Sequence, residues 1–133
     1  MGVRKGVRLN IPHSAISTNQ LHLGRKVRSY EYKKFRKEVF AYLADNIKAD
    51  VKLEGNLIFK MEVGLSNPLS DASNTMKGVE DVLAEYFQFN DRQIVSIHID
   101  KYLVNKGEEY MLITIRRTNK NIDRRSKYVR KES

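Results

Sequence analysis

The chain has 133 residues, with 25 Lys+Arg against 16 Asp+Glu, a formal net charge of +9 and no cysteine. That length fits one domain whose single core needs no covalent or metal staples, and the missing cysteine excludes thiolate zinc sites and cysteine nucleophiles while fitting a reducing compartment. No apolar run approaches the ~20 residues that span a bilayer, and no apolar signal-type stretch follows the basic start, so a soluble intracellular protein with no membrane partner is expected.

Charge is distributed unevenly. Residues 1–8 carry three positive charges, residues 25–37 carry seven against Glu31, and residues 116–133 carry eight against Asp123 and Glu132. These segments sum to +15 and leave −6 for the rest, so the chain is basic at its periphery and acidic in its middle. Basic flanks attract a polyanion, whereas a carboxylate cluster repels phosphate unless a cation lies between them. A basic tail alone is a generic nucleic-acid or solubility feature.

In chain order, residues 1–5 read as a ragged basic start and residues 7–12 as a short strand stopped by Pro12. Residues 14–20 read as a loop. His13 and His22 are poor ligands for a hard cation. Residues 25–29 lead into a helix over 30–48 whose inner face is Tyr32, Phe35, Val39, Leu43 and Ile47. Lys33, Lys34, Arg36 and Lys37 then lie outside as a positive ridge suited to phosphate backbone, together with Arg25, Lys26 and Arg28 before the helix. Tyr30, Tyr32 and Phe35 have the spacing of core aromatics rather than of base-stacking groups.

Residues 50–55 read as a turn and 57–63 as a second strand, which reaches a second helix through Asn67-Pro68. On that helix Ala72, Met76, Val79, Leu83 and Tyr86 share one side, and Asp71, Asn74, Lys77, Asp81 and Glu85 fall roughly opposite. The polar side is either an ordinary solvated face or a site. Asp71 or Ser70 is placed to cap the helix, and Asp91 sits in a polar break beyond its far end. A third strand follows over 94–104 with a bulge near Asp100, His98 facing solvent, then a hairpin turn at 106–108 and a fourth strand over 110–115. The pattern fades after Arg117. The expectation is α+β: a single domain over 1–117, a four-stranded mixed β-sheet with two main helices packed on it, and a flexible basic tail over 118–133.

Asp71, Ser73, Asn74, Lys77, Asp81 and Leu83, followed by Asn90, Asp91, Gln93 and Ile94, place ten positions over 24 residues on the pattern D-x-[D/S]-N-x-x-K-x-x-x-D-x-L…N/D-D-x-Q-[I/V]. The run resembles the RusA-type Holliday-junction resolvases, small homodimeric endonucleases common in phages and prophages. The resemblance implies the same α+β architecture, a bacterial cytoplasmic setting, and metal-dependent cleavage of four-way DNA junctions. It makes Asp71 and Asp91 ligands of Mg²⁺, with Mn²⁺ as a substitute, and Lys77 the cationic helper; Asn74 and Asp81 support them. It also marks Asn19 as a DNA contact. Ser73 departs from the acid found in the family and offers a neutral oxygen that reaches Mg²⁺ only through water. Residues 65–70 also lack the basic run found before the first acid. Two other readings account for part of the pattern: a non-cleaving branched-DNA binder of the same fold, supported by Ser73, and an unrelated basic RNA- or ribosome-associated protein.

Overall fold

Alternation of period two builds the centre of the molecule. The computed structural model describes residues 3–16, 22–23, 27–28, 30–69 and 72–119, with the backbone alone at 22, 23, 27, 28, 73 and 74. In chain order the elements are β1 (Gly6–Ile11), β2 (His22–Leu23), β3 (Val27–Arg28), α1 (Tyr30–Asn46), β4 (Leu57–Leu65), α2 (Ser73–Phe87), a 3-10 turn (Asp91–Gln93), β5 (Ile94–Leu103) and β6 (Tyr110–Arg117). Val7, Leu9 and Ile11 of β1, Leu57, Phe59, Met61 and Val63 of β4, and Met111, Ile113 and Ile115 of β6 are all buried on one face. Register brings them together, Leu9 opposite Ile113 and Ile113 opposite Met61. Tyr32, Phe35, Val39 and Leu43 of α1 and Val79, Val82 and Leu83 of α2 complete the same core.

The expected α+β domain is present: a mixed four-stranded sheet ordered β1-β6-β4-β5 with two helices on one face. β6 runs antiparallel to both β1 and β4, whereas β4 and β5 are parallel. A parallel pair needs a crossover, and α2 supplies it. β2 and β3 add a two-residue ribbon within the stretch read as loop and helix approach.

Several expectations need correction. Residues 106–108 do not close a hairpin, because β5 and β6 lie on opposite sides of β4. The connection instead passes the end of β4, where the Val104 N–H donates to the Leu65 carbonyl (3.0 Å) and the Ser66 hydroxyl to Glu109 Oε2 (2.6 Å). Gly107, at φ +96°, allows the reversal but cannot choose which strand pairs next. The β5 irregularity lies at its start, between the pairs Leu57–Ile94 and Ile58–Ser96, and not near Asp100. Arg4 is not ragged: its N–H donates to Asp50 and its carbonyl accepts from Lys52, both at 2.8 Å. Helix α1 ends two residues early, leaving Ile47 half-buried beyond it. Tyr32 and Phe35 are core residues as expected, whereas Tyr30 is exposed. No helix among the described residues is long and apolar enough to cross a membrane.

Helix α2 ends on Gln88 in the left-handed region (φ 59°, ψ 49°), with the Phe89 N–H reaching back to the Ala84 carbonyl (3.1 Å). Glycine adopts that conformation without the Cβ clash, so Gln88→Gly is expected to stabilise the fold by about 0.5–1 kcal/mol. Chemical denaturation should show a higher midpoint at unchanged m-value.

Candidate active site

The site is built where α2 passes the 3-10 turn. Lys77 lies in the first half of α2, and its Nζ is 3.0 Å from Asp81 Oδ1, one helical turn on, and 3.8 Å from Asp91 Oδ2. The i,i+4 spacing alone explains the first pair. The second joins the two halves of the sequence pattern across a loop. Lys77 and Asp91 are each about half exposed, at 53% and 52%, whereas Asp81 is 17% exposed.

Asn90, Arg92 and Gln93 explain why Asp91 is held there. Asn90 caps the turn: its Oδ1 accepts from the Arg92 N–H (2.9 Å), and its own N–H donates to Gln93 Oε1 (2.7 Å). The other end of the same amide, Gln93 Nε2, donates to the carbonyls of Leu53 (3.2 Å) and Gly55 (2.9 Å). Gln93 thus ties the Asp91 turn to residues 53–55. Alanine at 93 is expected to loosen the turn and to lower any activity that depends on Asp91 ~10–100-fold, the range for loss of a group that orients a functional side chain. A steady-state comparison with Gln93→Glu, which keeps the acceptor towards Asn90 but loses the two donated bonds, separates the two ends of the amide.

Glu80 was not singled out from sequence. It is 8% exposed, and burial raises its carboxyl pKa, with further raising by Asp91 and Asp81 partly offset by Lys77. The buried band of α2 runs through Thr75, Gly78, Val79, Val82 and Leu83, wider than the stripe read from the sequence, and takes Glu80 in at its edge. Its position three residues after Lys77 was the available signal. The Lys77 ammonium has its pKa raised, first by its bond to Asp81 against the opposing effect of burial, then by the charges of Asp81, Glu80 and Asp91. It is a firmly held cation amid three acids.

Asp71, Asn19, Arg25, Lys26 and the tail over 120–133 lie outside the described residues; of Ser73, Asn74 and Arg28 only the backbone is described. Ser73 and Asn74 form the first turn of α2. Ala72, the residue before the helix, makes no side-chain cap, and Ser70 and Asp71, the residues expected to cap it, lie outside the described residues. Thr75 instead turns its hydroxyl to the Ala72 carbonyl (2.7 Å).

The remaining polar face of α2 is partly used for packing. Glu85 accepts two bonds from Arg36 of α1, at 2.8 and 2.5 Å, and the guanidinium lies 4.2 Å over the Phe40 ring. Arg36 therefore turns from the outer ridge of α1 towards α2, and Glu85, exposed on its helix, is engaged by it. Lys33, Lys34 and Lys37 are exposed as expected. His13 bonds Glu38 (2.5 Å) and stacks edge-on to Phe35, which gives it a structural role. His98, exposed as expected, pairs with Asp100 at 3.2 Å.

Among the described residues no three His, Asp or Glu converge on one metal position. The carboxylate oxygens at hand suit a hard divalent ion, and that of Asp91 is half exposed. The family model of endodeoxyribonuclease RusA matches residues 14–116. The chain belongs to the RusA endodeoxyribonuclease family. No curated protein matches it. Membership makes the chain a Holliday-junction-resolving endonuclease in general terms and excludes the reading as an unrelated ribosome- or RNA-associated protein. The matched span contains both helices, β4, β5 and all but the last residue of β6, so Lys77, Asp81 and Asp91 fall inside it.

Proposed function

We propose that the chain is a homodimeric, Mg²⁺-dependent endonuclease that resolves four-way DNA junctions by paired phosphodiester cleavage in recombination and repair. The observation that carries this reading is Lys77 standing between Asp81 and Asp91, on a helix and a turn that the family match spans. Asp91 and Asp71 are the residues proposed to hold the ion, with Ser73 contributing only through water. A bound Mg²⁺, or Mn²⁺ in its place, supplies Lewis-acid stabilisation of the charge that develops on phosphate.

The chain's own residues do the rest. Lys77 offers a fixed positive charge towards the phosphate while Asp81 orients its ammonium, so the donor needs no reorganisation as charge develops. Gln93 holds the Asp91 turn against residues 53–55. Lys33, Lys34 and Lys37 form an exposed row for the sugar-phosphate backbone, joined in this proposal by Arg25, Lys26, Arg28 and Asn19. Such groups recognise shape and charge rather than base edges. Replacing Lys33, Lys34 and Lys37 by Gln is expected to flatten the plot of log K against log salt by roughly 2–3, about 0.9 for each phosphate that is no longer neutralised. Fluorescence anisotropy on a labelled junction between 50 and 300 mM KCl, roughly the range over which such slopes are read, checks it.

A labelled four-way junction incubated with and without Mg²⁺, beside a linear duplex of the same sequences, tests the whole proposal. Symmetric nicks in the junction alone, and only with metal, support it. Tight junction binding without cleavage in either Mg²⁺ or Mn²⁺ favours the second reading, a branched-DNA binder of the same fold, for which Ser73 is the motivating residue. A bacterial cytoplasm and a phage or prophage source follow from the family resemblance and form part of the proposal.

A further inference from the structure

Of the charged residues described, Glu80 of α2 alone is buried, at 8% exposure. Thr75, the other buried polar residue of that helix, is satisfied by its bond to the Ala72 carbonyl (2.7 Å). Glu80 has no such partner. No hydrogen bond reaches its carboxylate among the described residues, and Lys77, three residues before it, pairs with Asp81 and Asp91 instead. No fully enclosed side-chain oxygen among these residues is left unpaired, so the Glu80 carboxylate is not sealed in: its stem is buried and its oxygens open outwards. Helical side chains lean towards the N-terminus, which carries this one over the turn of Lys77. Burial acts first on its carboxyl, and the charges it meets there are those of Lys77, Asp91 and Asp81.

A buried charge without a partner is costly and calls for a donor, a water or an ion. The charge balance points to the ion. Ionised Glu80, Asp81 and Asp91 bring three carboxylates against the one ammonium of Lys77, leaving two negative charges, the charge of a single divalent cation. We propose that Glu80 is a ligand of the divalent ion, holding it together with Asp91 while water completes the shell. Mg²⁺ is commonly held by one or two carboxylates and several waters, so this pair suffices without a third described acid. The inference rests on the metal-dependent reading above and adds a ligand to it, at a position that the sequence pattern leaves unspecified. Ser73, seven residues earlier at nearly the same helical phase, brings no charge, and Glu80 supplies one two turns on.

Mn²⁺ binding followed by electron paramagnetic resonance, in which the signal of the free ion is lost on binding, tests this without reference to cleavage. Glu80→Gln keeps the shape and removes the charge. Its Mn²⁺ affinity is expected to fall at least ~10-fold, as should that of Asp91→Asn. Its thermal midpoint in EDTA is expected to stay at or above the parent's, because an unpaired buried charge has gone, and the rise in midpoint that Mn²⁺ gives the parent should shrink. Glu80→Leu, which suits the buried stem, takes its place if circular dichroism shows the glutamine variant unfolded. Unchanged Mn²⁺ affinity at position 80 beside a loss in Asp91→Asn overturns Glu80 as a ligand and leaves the metal-dependent reading standing. A midpoint lowered by several degrees in EDTA, or failure of both variants to fold, assigns Glu80 to the fold and also overturns the proposal. A parent that binds no Mn²⁺ at millimolar concentration overturns both readings.

Discussion

Asp91→Asn is expected to lower junction cleavage by ~10³-fold or more while junction affinity stays within a few-fold of the parent, because in the proposed mechanism the acid serves the reacting phosphate and not the fold. The Asp91 side chain is half exposed, and the turn around it is closed by Asn90 and Gln93, so an amide of the same shape leaves the backbone in place. What changes is charge. Lys77 keeps Asp81 at 3.0 Å but loses its second carboxylate, and the proposed ion loses one of its holders. Binding is carried by lysines far from this change in the sequence, so its salt dependence should not move. Single-turnover cleavage at saturating protein, read beside anisotropy binding, separates the two effects. Retained metal-dependent cleavage would falsify the assignment of Asp91. Lys77→Gln should reproduce the loss of rate, with the same turn and the same affinity.

The inner face of α1, the alternation of β4 and β6 and the placing of Lys77 and Asp81 on one side of α2 were legible because each depends on spacing within one element. Features that depend on two elements were not. Gly107 marked a reversal after β5, but whether the next strand pairs with β5 or passes over β4 is decided by which faces bury together, and Met111, Ile113 and Ile115 find partners on both β1 and β4. Glu85 is exposed on the polar side of α2 as read, but its pairing with Arg36 of α1 was not visible in the spacing. Asp81 was placed on the polar side of α2 and Glu80 on neither side, yet Glu80 is the more buried of the two. The 90–93 stretch falls between these cases. Its residues were readable as a pattern, but the use of Gln93 as a strut to residues 53–55 needed the distances. β5 is the converse example, since its apolar alternation correctly marked a strand while half of its apolar side chains found no cover.

Gly64→Ala is expected to cost about 2–4 kcal/mol, more than the same change at Gly6, where an added Cβ meets nothing nearer than 3.1 Å. A Cβ at position 64 falls 2.3 and 2.4 Å from ring carbons of Tyr110, the residue directly opposite on β6. Glycine within a strand marks such a close approach. The ring is not free to swing away, because the Tyr110 hydroxyl donates to Glu62 Oε2 (2.5 Å) on the same face of β4. That bond, with burial, pushes the Tyr110 phenol up to about 12, so the tyrosine is a neutral donor throughout the working pH range. Alanine must therefore either break the Tyr110–Glu62 bond or displace β6 from β4, and overpacking together with the loss of a charged hydrogen bond accounts for the magnitude. The thermal midpoint should fall by several degrees. In a Tyr110→Ala background the same substitution should cost under about 1 kcal/mol, since the clash is gone, and the difference is the coupling energy between the two positions. Equal losses in both backgrounds would locate the cost of alanine elsewhere. Gly64 stands one residue before the end of β4, where the chain leaves for α2 and Lys77, so cleavage by Gly64→Ala should match the parent at about 20 °C and lose half-life on warming, a population effect of unfolding rather than a change in the site.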